Sequence, residues 1–158
     1  ESRIMHRLKP ILLIEDDLVD VMTIQRALLE LDMSNPLVHC RNGEEAIKYL
    51  IDESTEKPCL ILLDLNMPKM NGIEFVKEIK SDSIFKKIPI VVLTTSDNVK
   101  DIEESFELSV AGYMIKPSDY AQFVKTVKTI RDYWDLSKLP NREESYETSN
   151  AQNTFNRR

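Results

Sequence analysis

Four apolar runs of the sequence end in side chains that could carry out chemistry. Glu15 and Asp16 follow the first run, and Asp64, Thr94 and Lys116 follow three later ones. Three carboxylates held close together repel one another unless a proton or a cation bridges them. A hard divalent cation resolves this repulsion, and oxygen-only ligands suit Mg²⁺, which also binds phosphate oxygens. The residue types therefore indicate a magnesium site that handles a phosphate.

Phosphoryl transfer is a reaction that uses every one of these groups. Asp64 can accept a phosphoryl group as an acyl phosphate. The Lys116 ammonium and the Thr94 hydroxyl can neutralise charge on the phosphoryl oxygens. With three glycines in the chain, neither a GxGxxG nor a P-loop pattern occurs, so no nucleotide cradle is expected. A donor protein is therefore expected to supply the phosphoryl group.

Each of these groups also has an ordinary structural explanation when it is considered alone. An acid after a strand can begin a helix, as we expect for Asp17, or it can start a turn. A lysine after a strand can extend to solvent. Four such strand ends in one chain are rarely explained by packing alone, because the carboxyl ends of parallel strands share one edge of the sheet.

Hydrophobic periodicity predicts the elements that would bring these groups together. Short apolar runs predict strands over Ile11–Ile14, Leu37–Cys40, Leu60–Leu63, Ile88–Leu93 and Gly112–Ile115. Apolar residues at helical spacing predict helices over about 18–32, through 46–51, from 72 to about 81, through 99–106, and from about 118 to 136. Ser96 or Asp97 is expected to cap the fourth helix. The alternation predicts an α/β class, a doubly wound five-stranded parallel sheet with an extended last helix.

Length and composition indicate one soluble domain. The chain has 158 residues, 42% of them hydrophobic and 30% charged, and its net charge of −6 argues against nucleic acid as the main partner. No apolar run could span a membrane and the polar start is not a secretory signal, so a cytoplasmic protein is expected. Cys40 and Cys59 are expected to be buried free thiols, although the sequence also allows a disulfide.

The chain is expected to divide into an N-terminal extension over residues 1–8, a domain over 9–138 and a flexible tail over 139–158. From Pro140 onward the sequence is polar and lacks hydrophobic periodicity. Neither a second domain nor an internal repeat is expected.

Residues 9–136 resemble the receiver domain of two-component response regulators, whose fold is flavodoxin-like. The matching residues are the acidic pair Glu15 and Asp16, the phosphoacceptor Asp64, the hydroxyl residue Thr94, and Lys116 with Pro117. The resemblance implies that a sensor histidine kinase donates a phosphoryl group to Asp64 in a Mg²⁺-dependent reaction. It also implies a cis peptide bond between Lys116 and Pro117.

The same resemblance implies a set of metal ligands. Asp16 and Asp64 would bind Mg²⁺ directly, Asn66 would lend its backbone carbonyl, and Glu15 would act through water. Asp17 could replace Asp16 as the direct ligand, but alignment on the preceding apolar run favours Glu15 with Asp16.

Further positions match the family's switch and rate-tuning residues. Tyr113 falls at the aromatic switch position, which turns inward when Thr94 moves toward the phosphoryl group. Asn66, Thr95 and Ser96 fall at positions through which the family tunes the lifetime of the phosphoryl group. Thr95 stands where many receivers carry Ala or Gly, so its bulk is expected to slow self-dephosphorylation.

Within the family, the chain looks like the single-domain regulators that are paired with bacterial phytochrome-type histidine kinases. The segments that carry this likeness are LILLDLNMP, VVLTTSDN and the final YWDLSKLP. It implies a homodimer formed through the fourth helix, the fifth strand and the last helix. Phe123, Tyr133 and Trp134 are expected to give the last helix more apolar surface than the sheet can cover.

The function expected first is a phosphorylation-controlled switch that signals by protein contact. Such a protein is not an enzyme with a separate substrate, although it takes part in its own phosphorylation and dephosphorylation. A relay that passes the phosphoryl group to another histidine protein remains open. A phosphohydrolase would need an acid at Asn66 and a substrate-binding cap. A degenerate receiver that acts without phosphorylation would not need the four groups Asp16, Asp64, Thr94 and Lys116.

Overall fold

The computed structural model describes residues 9–136, so the extension over 1–8 and the tail over 139–158 lie outside the described residues. Within this range five strands form one parallel sheet in the order β2-β1-β3-β4-β5. The strands are β1 (Ile11–Ile14), β2 (Leu37–Cys40), β3 (Leu60–Leu63), β4 (Ile90–Thr94) and β5 (Gly112–Ile115). The α-helices are α1 (Leu18–Glu30), α2 (Gly43–Ile51), α3 (Gly72–Ser81), α4 (Val99–Glu107) and α5 (Tyr120–Leu136). The predicted doubly wound α/β fold with an extended last helix is confirmed.

Two hydrophobic layers hold the sheet between helices. On one face Ile11 and Leu13 pack with α1 and α5, and on the other Leu12 and Ile14 pack with α2 and α3. Because helices cover both faces, the central strands β1, β3 and β4 are buried along their whole length. Polar side chains of these strands are therefore confined to the carboxyl edge.

The fourth strand begins later than predicted. The Ile88 N–H donates to the Phe85 carbonyl at 3.0 Å, which closes a 3₁₀ turn over Phe85–Lys87. Pro89 follows and has no N–H to donate to a neighbouring strand. Pairing therefore starts at Ile90, and Thr94 becomes the last residue of β4 rather than the first residue after it.

The prediction that Ser96 or Asp97 caps α4 is wrong. Asn98 caps this helix, and its side-chain oxygen accepts a hydrogen bond from the Lys100 N–H at 2.8 Å. The Ser96 hydroxyl instead donates to Asp101 Oδ2 at 2.6 Å, which ties the β4–α4 loop to the helix. All three candidates are good N-cap residues, so the sequence does not select among them.

The Lys116–Pro117 peptide bond is trans, because the described residues contain no cis peptide bond. The family resemblance implied a cis bond, and that expectation is wrong. An X–Pro bond prefers trans by only about 0.5–1 kcal/mol, so the residue types alone do not decide the isomer.

The last helix buries more of its aromatic surface than expected. Phe123 and Trp134 are 3% and 6% exposed and pack in the layer between the sheet, α1 and α5. Arg131 of α5 also donates from Nη1 to the Leu31 carbonyl, just after α1, at 2.8 Å. The expectation of surplus apolar surface is therefore wrong for Phe123 and Trp134, whereas Tyr133 is 54% exposed.

The cysteines and the lengths of the helices bear on two predictions from the sequence. Cys40 and Cys59 are both buried, as predicted. Among residues 9–136, no helix is both long enough and apolar enough to cross a lipid bilayer.

The backbone of the β3–α3 connection passes very close to Gly72. A Cβ atom at this position would lie 2.5 Å from the Asp64 carbonyl oxygen and 2.7 Å from Leu65 Cα. We expect Gly72→Ala to lower the free energy of unfolding by about 2–3 kcal/mol, because backbone must move to relieve the overlap. Chemical denaturation measures this loss. Gly112→Ala is the matched control, since its Cβ would meet only Val91 atoms at 3.9 Å or more; an equal loss in both variants would contradict the explanation.

Candidate functional site

The turn from β1 into α1 places the first acidic residues of the site. The Glu15 N–H donates to the Cys40 carbonyl at 3.0 Å, and Glu15 Oε1 accepts from the Asp17 N–H at 3.1 Å. Asp17 caps α1, as predicted, by accepting from the N–H groups of Val19 and Asp20. The Asp17 carboxylate is thus occupied at the helix start, which supports Asp16 rather than Asp17 as the candidate metal ligand.

Glu15, Asp16 and Asp64 form one carboxylate cluster at the carboxyl edge of the sheet. Each of them offers an oxygen, and these three oxygens lie within 4.8 Å of one another. Glu15 is 1% exposed and Asp64 7%, whereas Asp16 is open to solvent. Partly buried carboxylates at this separation need a counter-charge, and their oxygens are the donors that a hard divalent cation prefers. The residues present therefore fit a divalent metal.

Asp64 is held at the end of β3 by the backbone on both sides. Its N–H donates to the Ile14 carbonyl at 3.0 Å, and its own Oδ1 accepts from the Leu65 N–H at 2.9 Å. The second oxygen, Oδ2, faces Lys116 Nζ at 3.8 Å. The carboxylate is therefore fixed in orientation, with Oδ2 as the oxygen that makes no short hydrogen bond to the chain.

Lys116, after β5, supplies the positive charge of the cluster. Its Nζ donates to Glu15 Oε2 at 2.5 Å and to Asp20 Oδ2 at 2.8 Å. The Lys116 N–H also donates to the Thr94 carbonyl at 2.7 Å, which extends the pairing of β4 and β5 by one residue. One buried ammonium thus lies close to three acids, Glu15 after β1, Asp20 in α1 and Asp64 after β3.

These contacts shift the pKa values of the cluster. Burial raises the pKa of Glu15 from 4.5 to about 7, against the hydrogen bond from Lys116, and the charge of Asp64 adds to the rise. Burial lowers the pKa of Lys116, but hydrogen bonds to Asp20 and Glu15 outweigh it and the net shift is upward. Lys116 is therefore held charged, and Glu15 takes up a proton as the pH falls when no cation is bound.

Without a divalent cation, Glu15 is expected to lower folding stability as the pH rises. Its folded pKa of about 7 lies above the unfolded value of 4.5, so protonated Glu15 stabilises the fold at low pH, and this contribution is lost as the pH passes through 7. Glu15→Gln is neutral at every pH, so it should gain about 2 kcal/mol relative to the wild type between about pH 5 and pH 8. Chemical denaturation in EDTA measures this gain. A difference between the two proteins that does not change with pH would contradict the prediction.

Thr94, Ser96 and Tyr113 form a connected set beside the cluster. Thr94 is fully buried, and its Oγ1 accepts from the Ser96 N–H at 3.4 Å. The Tyr113 hydroxyl donates to the Ser96 carbonyl at 2.7 Å, and its half-buried ring packs on the core. The predicted switch residues are thus joined through the backbone of the β4–α4 loop.

The remaining candidate residues line two clefts beside the cluster. Asn66 lines a cleft of about 430 Å³ together with Asp16. Thr95 lines a separate cleft of about 300 Å³ that also contains Lys116 and Asp20. Asn66 is therefore on the Asp16 side of the site, and Thr95 is on the Lys116 side.

Sequence reasoning missed Asp20 as a member of this site. The carboxylate lies in the first turn of α1, where acids are common because they interact favourably with the helix dipole. Asp16 precedes the N-cap Asp17 and is not part of α1, so helical spacing gave no signal that joins Asp20 to the predicted acids. The partner of Asp20, Lys116, is 96 positions away in the sequence, so only the fold brings the two together.

Comparison with known proteins agrees with this geometry. The model of the response regulator receiver domain family matches residues 11–128. The response regulator Rcp1 of Synechocystis sp. is 39% identical over 130 residues, which cover 80% of this chain and 88% of that protein. The structure of the phosphorylated cyanobacterial phytochrome response regulator RcpA is similar with a TM-score of 0.80 at 42% identity, over 85% of this chain and 99% of that one. The Mn²⁺-bound form of Rcp1 has a TM-score of 0.78 at 39% identity, over 84% and 99% of the two chains. The chain belongs to the response regulator receiver domain family.

Proposed function

We propose that this receiver accepts a phosphoryl group on Asp64 and uses it as a signal. The observation that carries this proposal is the orientation of the Asp64 carboxylate. Its Oδ1 is tied to the Leu65 N–H, while Oδ2 faces the Lys116 ammonium at 3.8 Å. A fixed carboxylate oxygen beside a buried cation is suited to attack a phosphoryl group and to form an acyl phosphate.

Each of the other site residues has a separate role in the proposed phosphoryl transfer. A Mg²⁺ ion held by Asp16, Asp64, the Asn66 carbonyl and, through water, Glu15 would supply a Lewis acid for the phosphoryl oxygens. Lys116 stabilises negative charge from the side of β5. The Thr94 hydroxyl, which now accepts from the Ser96 N–H, can turn and donate to a phosphoryl oxygen. The chain thus promotes its own phosphorylation and its own dephosphorylation, and it has no separate substrate.

The donor is proposed to be a sensor histidine kinase of the phytochrome type. The support is the similarity to Rcp1 and to RcpA, the latter a phytochrome response regulator that was crystallised in its phosphorylated form. We propose further that the protein is cytoplasmic. A single receiver domain over residues 9–138 would pass the signal on by contact with another protein. We expect no nucleic-acid partner, since the net charge is −6.

Transfer of phosphate from two kinds of donor tests this function. The protein is incubated with Mg²⁺ and a small acyl phosphate, or with a phosphorylated phytochrome-type kinase, and the intact mass is then measured. We expect one added phosphoryl group that is lost at alkaline pH and is not formed in EDTA. An adduct that resists alkali, or none from either donor, would contradict the proposal.

We also propose that the chain forms a homodimer through α4, β5 and α5. Its support is the exposed apolar surface on these elements, which includes Val99, Phe106, Ile115 and Tyr133. Phe106→Lys should then shift the protein toward monomer in sedimentation. Leu29→Lys, which changes an exposed side chain of α1, should not. Sedimentation of only monomer in both phosphorylation states would contradict the dimer.

Removal of the Thr95 side chain is expected to shorten the lifetime of the phosphorylated protein. Thr95 is exposed and lines the same cleft as Lys116, so its bulk limits the approach of water from that side. Thr95→Ala should raise the hydrolysis rate about threefold to tenfold, which corresponds to a barrier lower by about 0.7–1.4 kcal/mol. The decay of the phosphorylated protein measures this rate, with Thr129→Ala on exposed α5 as the control. A decay rate equal to that of the wild type would rule out the steric explanation.

A further inference from the structure

Asp20 makes a charged contact that phosphoryl transfer itself does not require. Its Oδ2 accepts from Lys116 Nζ at 2.8 Å, and Glu15 Oε2 accepts from the same ammonium at 2.5 Å. Asp64 Oδ2 is farther away, at 3.8 Å. Three carboxylates therefore compete for one ammonium, and the proposed phosphoacceptor is the most distant of them.

The start of α1 leaves the Asp20 side chain available for this contact. Asp20 is the third residue of the helix, the position from which a Glu or Gln side chain often accepts from the N–H of the capping residue. Here the Asp17 N–H donates to Glu15 Oε1 instead. The Asp20 backbone N–H still donates to the capping Asp17, but the Asp20 carboxylate is not needed to close the helix start and extends to Lys116.

The solvent exposure of the four side chains places Asp20 at the outer edge of the cluster. The Lys116 and Glu15 side chains are 5% and 1% exposed, and that of Asp64 is 8% exposed. The Asp20 side chain is 30% exposed. A charge here draws the ammonium toward α1 and toward the cleft that Asp20 and Lys116 both line.

We propose that Asp20 is a positioning residue that holds the Lys116 ammonium away from Asp64, so that the Asp64 carboxylate stays open to the metal ion and the phosphoryl group. An ammonium and a divalent cation compete for the same carboxylate oxygens. Because Oδ1 of Asp64 is already engaged by the Leu65 N–H, Oδ2 is the oxygen that Lys116 would take. The inference rests on the proposed function of Asp64. It adds an explanation of how the unphosphorylated protein keeps the Asp64 carboxylate accessible.

Titration with Mg²⁺ alone tests this role without any phosphoryl transfer. In Asp20→Asn the ammonium is released toward Asp64, and we expect Mg²⁺ affinity by calorimetry to fall about tenfold, the value of one charge-assisted hydrogen bond. Asp17→Asn is the matched control, because it removes the same charge three residues earlier and asparagine caps a helix equally well. Its affinity should stay within about twofold of the wild type. Equal losses in both variants, or none in Asp20→Asn, would overturn the proposal.

Two further measurements separate positioning from a general effect of charge. Asp20→Glu restores a carboxylate at this position and should recover most of the lost affinity. The ¹⁵N resonance of the Lys116 ammonium should shift in Asp20→Asn and stay in place in Asp17→Asn. An unshifted Lys116 resonance in Asp20→Asn would overturn the proposal even if the affinity fell.

The outcome for Asp20 is distinguishable from the outcome for Asp64. If wild-type protein binds Mg²⁺ and Asp20→Asn binds it equally well, the positioning role fails while Asp64 can still be phosphorylated. If Asp20→Asn loses affinity but no acyl phosphate forms on the wild type, the contact controls metal binding and the proposed function fails.

Discussion

Asp64→Asn protein is expected to take up no phosphoryl group from a small acyl phosphate donor or from a phosphorylated kinase. An amide is a far poorer oxygen nucleophile than a carboxylate, so the acyl phosphate cannot form. The rate of phosphorylation should fall by at least about a thousandfold, which corresponds to a barrier higher by about 4 kcal/mol. Intact mass measured after incubation with Mg²⁺ and donor gives the result directly.

The control for Asp64→Asn is an acid that lies near the site and outside the cluster. Asp97, exposed in the β4–α4 loop, can be changed to asparagine with the same loss of charge. Asp97→Asn should be phosphorylated like the wild type. An adduct of undiminished yield on Asp64→Asn would show that another residue is the acceptor.

Lys116→Met is expected to affect both stability and transfer. Without the ammonium, the buried carboxylates of Glu15 and Asp64 lose their counter-charge, and the metal-free protein should lose about 3 kcal/mol of unfolding free energy. Mg²⁺ should recover part of this loss, because a bound cation replaces the missing charge. At saturating Mg²⁺ the rate of phosphorylation should still be lower by about 10²–10³-fold, the usual loss on removing one group that stabilises developing charge.

Denaturation with and without Mg²⁺, together with single-turnover phosphorylation, measures these effects for Lys116→Met. The matched control is Lys125→Met on the exposed surface of α5, which should leave both quantities near the wild-type values. If Lys116→Met destabilised the metal-free and the Mg²⁺-loaded protein equally, the ammonium would not be serving as the counter-charge of the metal site.

The strands could be predicted well because burial on both faces demands continuous apolar runs. Leu60–Leu63 and Ile11–Ile14 have the predicted bounds, and each of these runs stops at an acid that no buried strand could contain. The fourth strand was placed less well, since Ile88 is as apolar as Ile90 but has its N–H bonded within a 3₁₀ turn. A local hydrogen bond of this kind cannot be predicted from the hydrophobicity of the sequence.

Glu15 and Asp64 could be predicted for the same reason, as polar residues that follow buried strands. Lys116 follows β5, which is only partly buried, and it could be predicted because it ends an apolar run of the sequence. Asp20 could not, because an acid in the first turn of a helix is ordinary and its partner Lys116 is distant in sequence. The burial of Trp134 was missed as well. Periodicity shows that one face of α5 is apolar, but it does not show that α1 lies against that face.

The parallel order of the strands has a consequence for how the protein is made. Glu15 and Lys116, which share a hydrogen bond, are 101 positions apart, and β3 and β4 lie between β1 and β5 in the sheet. A nascent chain of which only the first four strands have left the ribosome contains the proposed acceptor Asp64 but not yet Lys116. Pairing of distant segments is also slow to form. We therefore expect the proposed phosphorylation of Asp64 to require a chain that is completely synthesised and folded.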